Sequence, residues 1–87
     1  MFSGAYENDY AARFTSNDLG CCAALVGLGF ELVGIDRTNP KRVLFVFPDN
    51  AQVRDTARQY WSGELSMGAK AYFDTIRSLK ARLYSGQ

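Results

Sequence analysis

With 87 residues, 47% of them apolar, and a net charge of +1, the chain has material for one modest hydrophobic core and not for two. So even a balance supplies no strong global field for nucleic acid or a lipid surface, and no apolar run approaches the length of a membrane span. The polar, acidic opening Met-Phe-Ser-Gly-Ala-Tyr-Glu-Asn-Asp is unlike a signal peptide, so the expected location is the cytoplasm.

Residues 1–12 are polar and aperiodic and predict a flexible N-terminal arm, although Phe2, Tyr6 and Tyr10 recur at helical spacing and would allow a docked turn. Residues 13–87 are expected to form a single domain. Thr15 and Asp18 have the separation of a capping box, which predicts a helix beginning there. Leu19, Cys22, Ala23 and Val26 form its apolar stripe, Leu25 and Leu28 widen it, and Gly29 stands where a left-handed C-terminal cap would close it. Gly27 inside the run costs up to about 1 kcal/mol against Ala, or admits a close neighbour.

Cys21 and Cys22 are adjacent on that helix and point in different directions, so they could not join in a disulfide without strain. The chain has no histidine and no third cysteine to complete a tetrahedral metal site, so the pair is expected to be buried as two small apolar residues.

Two β-rich runs follow, Leu32 to Ile35 and Val43 to Phe47, around the breaker cluster Arg37-Thr38-Asn39-Pro40-Lys41. They predict a hairpin in which Asp36 faces Arg42 and Arg37 faces Lys41. One face would then carry Val33, Ile35, Val43, Phe45 and Phe47, and the other Leu32, Gly34, Leu44 and Val46. The second run does not alternate with polar residues, so both its faces call for cover. The flatter face, Leu32, Gly34, Leu44 and Val46, is the candidate contact with a second copy.

Pro48 stops the strand, and Asp49 or Asn50 caps a second helix carrying Val53, Ala57, Tyr60 and Trp61 and ending at Gly63. After a short loop, Tyr72, Ile76, Leu79 and Leu83, reinforced by Phe73, predict a third, amphipathic helix reaching about Tyr84. The expected class is α+β: helix, antiparallel β-hairpin, helix, helix, with the helices packed on a small sheet able to extend across a dimer.

Five strings carry a resemblance: Phe14-Thr15-Ser16-Asn17-Asp18-Leu19, Gly29 to Arg37, Arg42 to Phe47, Tyr60-Trp61-Ser62-Gly63-Glu64, and Ala71-Tyr72-Phe73-Asp74 with Leu79-Lys80-Ala81. Together they resemble a family of small proteins of unknown function found in phages, prophages and bacterial genomes. The likeness runs from about Arg13 to Tyr84 and implies a phage or mobile-element context, without assigning a role to any residue.

Without histidine a general base would have to be a carboxylate, and Asp18, Asp36, Asp49, Asp55, Glu64 and Asp74 each have a local explanation as a cap, a hairpin pair or a solvated helix position. Gly27-Leu28-Gly29 leads into a strand and not a helix, so no phosphate loop is present, and no Ser or Cys has a recognisable base. No catalytic residue, cofactor or metal is expected. The composition instead suits a non-catalytic module that is homo-oligomeric and binds a protein partner, inhibiting or assisting a host or phage complex. The alternative is a nucleic-acid-binding accessory protein. Residues from Asn50 onward hold six basic against three acidic residues, and Arg54, Arg58, Tyr60, Trp61, Arg77 and Lys80 are the candidate surface for either partner.

Overall fold

The computed structural model describes residues 13–85, and the expected N-terminal arm with Phe2, Tyr6 and Tyr10 lies outside the described residues. The elements are β1 (Arg13–Ser16), α1 (Leu19–Gly27), β2 (Gly34–Asp36), β3 (Leu44–Pro48), α2 (Ala51–Ser62) and α3 (Ala69–Ser85). This is the expected α+β arrangement of three helices and a small antiparallel sheet, with one strand more than the hairpin provides.

The added strand is β1. It pairs antiparallel with β3, Phe14 opposite Phe47 and Ser16 opposite Phe45, so the order is β1-β3-β2 and β3 is central. Burial alternates along β3, with Phe45 and Phe47 buried on the inner face and Leu44 and Val46 only partly covered on the outer one. Arg13 and Thr15 point outward while Phe14 and Ser16 turn inward, a period-two pattern only four residues long. Thr15 therefore lies in a strand and caps nothing. Asp18 itself is the N-cap of α1, its Oδ1 accepting from the Cys21 N–H at 3.1 Å, and Ser16 Oγ accepts from the Asp18 N–H.

The hairpin register is Ile35 opposite Phe45 and Asp36 opposite Leu44, two residues from the expected pairing. An even slip leaves every side chain on its assigned face, which is why Phe45 and Phe47 are buried as foreseen. The pairs Asp36–Arg42 and Arg37–Lys41 do not form because the connection folds on itself. Asp36 Oδ1 accepts from Thr38 N–H, Asn39 Oδ1 accepts from Lys41 N–H, and Arg37 turns away to α3. Val33, expected on the buried face, is 43% exposed, although its N–H still donates to Val46.

α1 departs furthest from the single-stripe expectation. Cys21 through Leu25 are all buried, because the helix contacts β1 on one side and is wedged between α2 and α3 on the other. A helix apolar on all sides belongs in such a place. Its end is as foreseen: Gly29 has φ +99°, and the bonds Phe30 N–H to Leu25 O and Gly29 N–H to Val26 O form a Schellman cap. Leu28 belongs to no stripe and is 42% exposed. Gly27 admits a side chain, since a Cβ there would lie 2.5 Å from Met67 Cε.

Asn50, and not Asp49, caps α2 through the Val53 N–H, and Gly63 closes that helix at φ +82°. Tyr72, Ile76, Leu79 and Leu83 of α3 pack on the core. Two aromatic residues read on the apolar rows of these helices lie outside the core: Trp61 is 57% exposed and Phe73 58%.

Candidate functional site

Both cysteines are free and fully buried. Burial pushes the Cys21 thiol up to about 11, with the Asp18 charge adding to it, and the Cys22 thiol up to about 12, so both stay protonated at neutral pH. Among the described residues no three His, Cys, Asp or Glu side chains are grouped to hold a metal ion. No helix there is long and apolar enough to cross a membrane.

The six candidate surface residues separate into three environments. Arg54, Arg58 and Trp61 follow one another at spacings of four and three, which places them in one exposed stripe on α2, about 100° around the helix from the inward row of Val53, Ala57 and Tyr60. Trp61 Nε1 donates to Asp18 Oδ2 at 3.0 Å, so the ring is held against the start of α1. The arginines are balanced locally. Arg54 Nε lies 3.0 Å from Asp49, and Arg58 pairs with Asp55 at 2.8 Å and Glu64 at 3.7 Å. These exposed pairs contribute little stability, but they cancel charge.

Tyr60 is not part of that stripe. It lines a cavity of about 310 Å³ with Ala24, Leu65, Met67, Ala69 and Tyr72, between α1, α2, α3 and the loop that joins the last two. Tyr72 Oη donates to the Gly20 carbonyl at 3.2 Å, which leaves its oxygen to accept from the Tyr60 hydroxyl. That bond, with some burial, pushes Tyr60 up to about 12. A Cβ on Gly20 would lie 2.1 Å from Tyr60 Oη and 3.0 Å from Tyr72 Oη, so the tyrosine pair requires glycine at that point of α1. Sequence reasoning passed over Gly20, Leu65 and Met67. A glycine in the first turn of an otherwise apolar helix was the available signal of close approach.

Arg77 and Lys80 occupy α3, a different helix from the Trp61 stripe. The Arg77 guanidinium stands 5.8 Å from the centre of the Phe73 ring, and Lys80 is exposed. On the outer face of the sheet, Gly34, Leu44 and Val46 are half-buried, and a Cβ on Gly34 would meet nothing within 4 Å. Leu32, grouped with them from the sequence, packs on the core instead.

No curated protein and no solved structure matches the chain. A protein family does, over residues 12–85, which is most of the sequence and includes every element described above. The chain therefore belongs to the DUF5659 family, a domain of unknown function.

Proposed function

We propose that this chain is a non-catalytic interaction module that binds a protein partner through the exposed stripe of α2, with Trp61 as the anchor. The supporting observation is the state of that tryptophan. It is 57% exposed, yet its single polar atom is already bonded to Asp18, so what faces solvent is an apolar ring fixed in place. Tryptophan and arginine dominate the energetic centres of protein interfaces, and an anchor ordered beforehand loses less entropy on binding. Arg54 and Arg58 beside it are balanced by Asp49, Asp55 and Glu64, a mixture of signs that suits a protein surface better than a phosphate backbone. The resemblance to phage and prophage proteins adds a mobile-element setting, in which the partner is a host or phage complex in the cytoplasm that binding inhibits or assists.

The test is a photo-crosslinking amino acid at position 61 in expressing cells, with position 31 as a control. A discrete protein adduct from position 61 alone is expected. Adducts with nucleic acid, or equal protein yields from both positions, would overturn the reading.

Self-association belongs to the same proposal and would use the outer sheet face, where Gly34 leaves open space beside Leu44 and Val46. Sedimentation should give the mass of a homo-oligomer that Val46→Glu reduces to a monomer. A monomeric parent at high micromolar concentration would remove this element.

A further inference from the structure

Six of the ten basic residues and only one of the nine acidic ones fall in two segments, 36–43 and 75–85. The fold joins these segments. Arg37 Nη2 donates to the Arg82 carbonyl at 2.9 Å and Nη1 to the Leu83 carbonyl at 3.4 Å, which seats the β2–β3 connection against the last turn of α3. Lys41 and Arg42 follow on that connection, both exposed. The Arg42 N–H closes a turn on Asn39 O at 2.9 Å, so the two cations stay well inside the roughly 18 Å that five extended residues could span.

Along α3, Phe73, Arg77, Lys80 and Tyr84 recur at spacings of four, three and four. They form one stripe about 16 Å long, beside the inward row of Tyr72, Ile76, Leu79 and Leu83. Its two rings are exposed, Phe73 at 58% with Arg77 over one of its faces and Tyr84 at 82%. Beyond Asp74, which pairs with Lys70 at 2.8 Å, the helix has no acidic residue. This is the reverse of α2, where each arginine has a carboxylate beside it.

We propose that this stripe, with the Lys41–Arg42 turn as its basic rim, binds single-stranded nucleic acid. Arg77 and Lys80 take the phosphates, and Phe73 and Tyr84 stack on bases at either end. A duplex hides the faces of its bases, whereas a single strand presents both the π-faces and the backbone that the stripe matches. Arg82 lies on the other exposed flank of the helix and adds to the field without contacting the strand. The inference concerns a different helix from the Trp61 reading and is independent of it.

The full chain is titrated against a fluorescein-labelled oligothymidylate, with anisotropy followed from about 50 to about 200 mM NaCl. With two or three phosphates engaged, the slope of log K against log salt is expected near −2, at about −0.7 for each contact. Tyr84→Ala should weaken binding about tenfold and leave that slope unchanged. Arg77→Glu with Lys80→Glu should abolish binding, and the charge-matched Arg54→Glu with Arg58→Glu should weaken it far less, each variant being checked for native circular dichroism. No binding by the parent at the lowest salt, preference for the duplex, or indifference to Tyr84→Ala would overturn the proposal. Equal capture of polyglutamate through Arg77 and Lys80 would also overturn it and identify a surface for acidic proteins.

Discussion

The carboxylate of Asp18 is divided between two tasks: Oδ1 caps the first turn of α1 through the Cys21 N–H, and Oδ2 holds the indole of Trp61, forty-three residues away, at 3.0 Å. One side chain thus links the start of the central helix to the exposed end of α2.

The two tasks can be separated. Asp18→Ala should cost about 1 kcal/mol, the usual value of a lost N-cap, and release the indole. Asp18→Asn keeps an oxygen for the cap but turns an N–H toward the Trp61 N–H, so it should retain most of the stability while freeing the ring. Trp61 is the only tryptophan, so urea unfolding and fluorescence anisotropy of the folded state read the two effects separately. Equal ring mobility in Asp18→Asn and the parent would refute the division.

Replacing glycine by alanine inside a helix ordinarily stabilises by about 1 kcal/mol. At Gly20 the sign should reverse, to a loss of about 1–2 kcal/mol, because the new methyl displaces Tyr60 and breaks the tyrosine pair. Tyr60→Phe removes the atom that would lie 2.1 Å from that methyl, so the double variant should be less destabilised than the sum of the single changes. Additive values from chemical unfolding would contradict the contact.

Arg37 supplies two donors to the final carbonyls of α3. Arg37→Ala should lower stability by about 1–2 kcal/mol and speed amide exchange in the last turn of that helix ahead of its middle. Arg37→Lys keeps the charge and loses the forked geometry, so only partial recovery is expected. Exchange at Leu83 that is the same in the parent and Arg37→Ala would count against a capping role.

Among the described residues, three groups are harder to ionise in the folded chain than outside it: Cys21, raised from 9.0 to about 11, Cys22, raised from 9.0 to about 12, and Tyr60, raised from 10.0 to about 12. A raised folded value contributes stability that is complete below the unfolded value and lost as pH climbs through the folded one. The urea midpoint should therefore decline from about pH 9 upward, and the thiols should resist a disulfide reagent at pH 8 until urea is added. A midpoint unchanged up to pH 11, or immediate thiol reaction in the native protein, would show the burial to be wrong.

The legible parts of the fold were those set by local chemistry. Gly29 and Gly63 sit at left-handed helix ends, Asn50 follows the strand-stopping Pro48, and Tyr72, Ile76, Leu79 and Leu83 keep a spacing that only a helix brings to one face. Where two local signals competed, the reading failed. Thr15 and Asp18 carry a capping-box separation, but the same Thr15 alternates with Phe14 and Ser16 in a strand whose only reason to exist is the open edge of β3. The candidate surface divides for a related reason. Tyr60 and Trp61 are neighbours in sequence, yet 100° of helical rotation sends one hydroxyl into a cavity with Tyr72 and leaves the other ring outside on Asp18.

The order of residues by itself thus determined the three helices, the left-handed ends of the first two, and the inward face of Phe45 and Phe47, because caps, turns and periodicity act within a few residues. The tertiary structure alone decided that β3 is central, that Cys21 to Leu25 of α1 are all buried, that Gly20 must be bare for two tyrosines to meet, and that the basic residues divide into a balanced stripe and an unbalanced one. Those outcomes depend on which distant segments come to share space, and short-range propensities do not encode that choice.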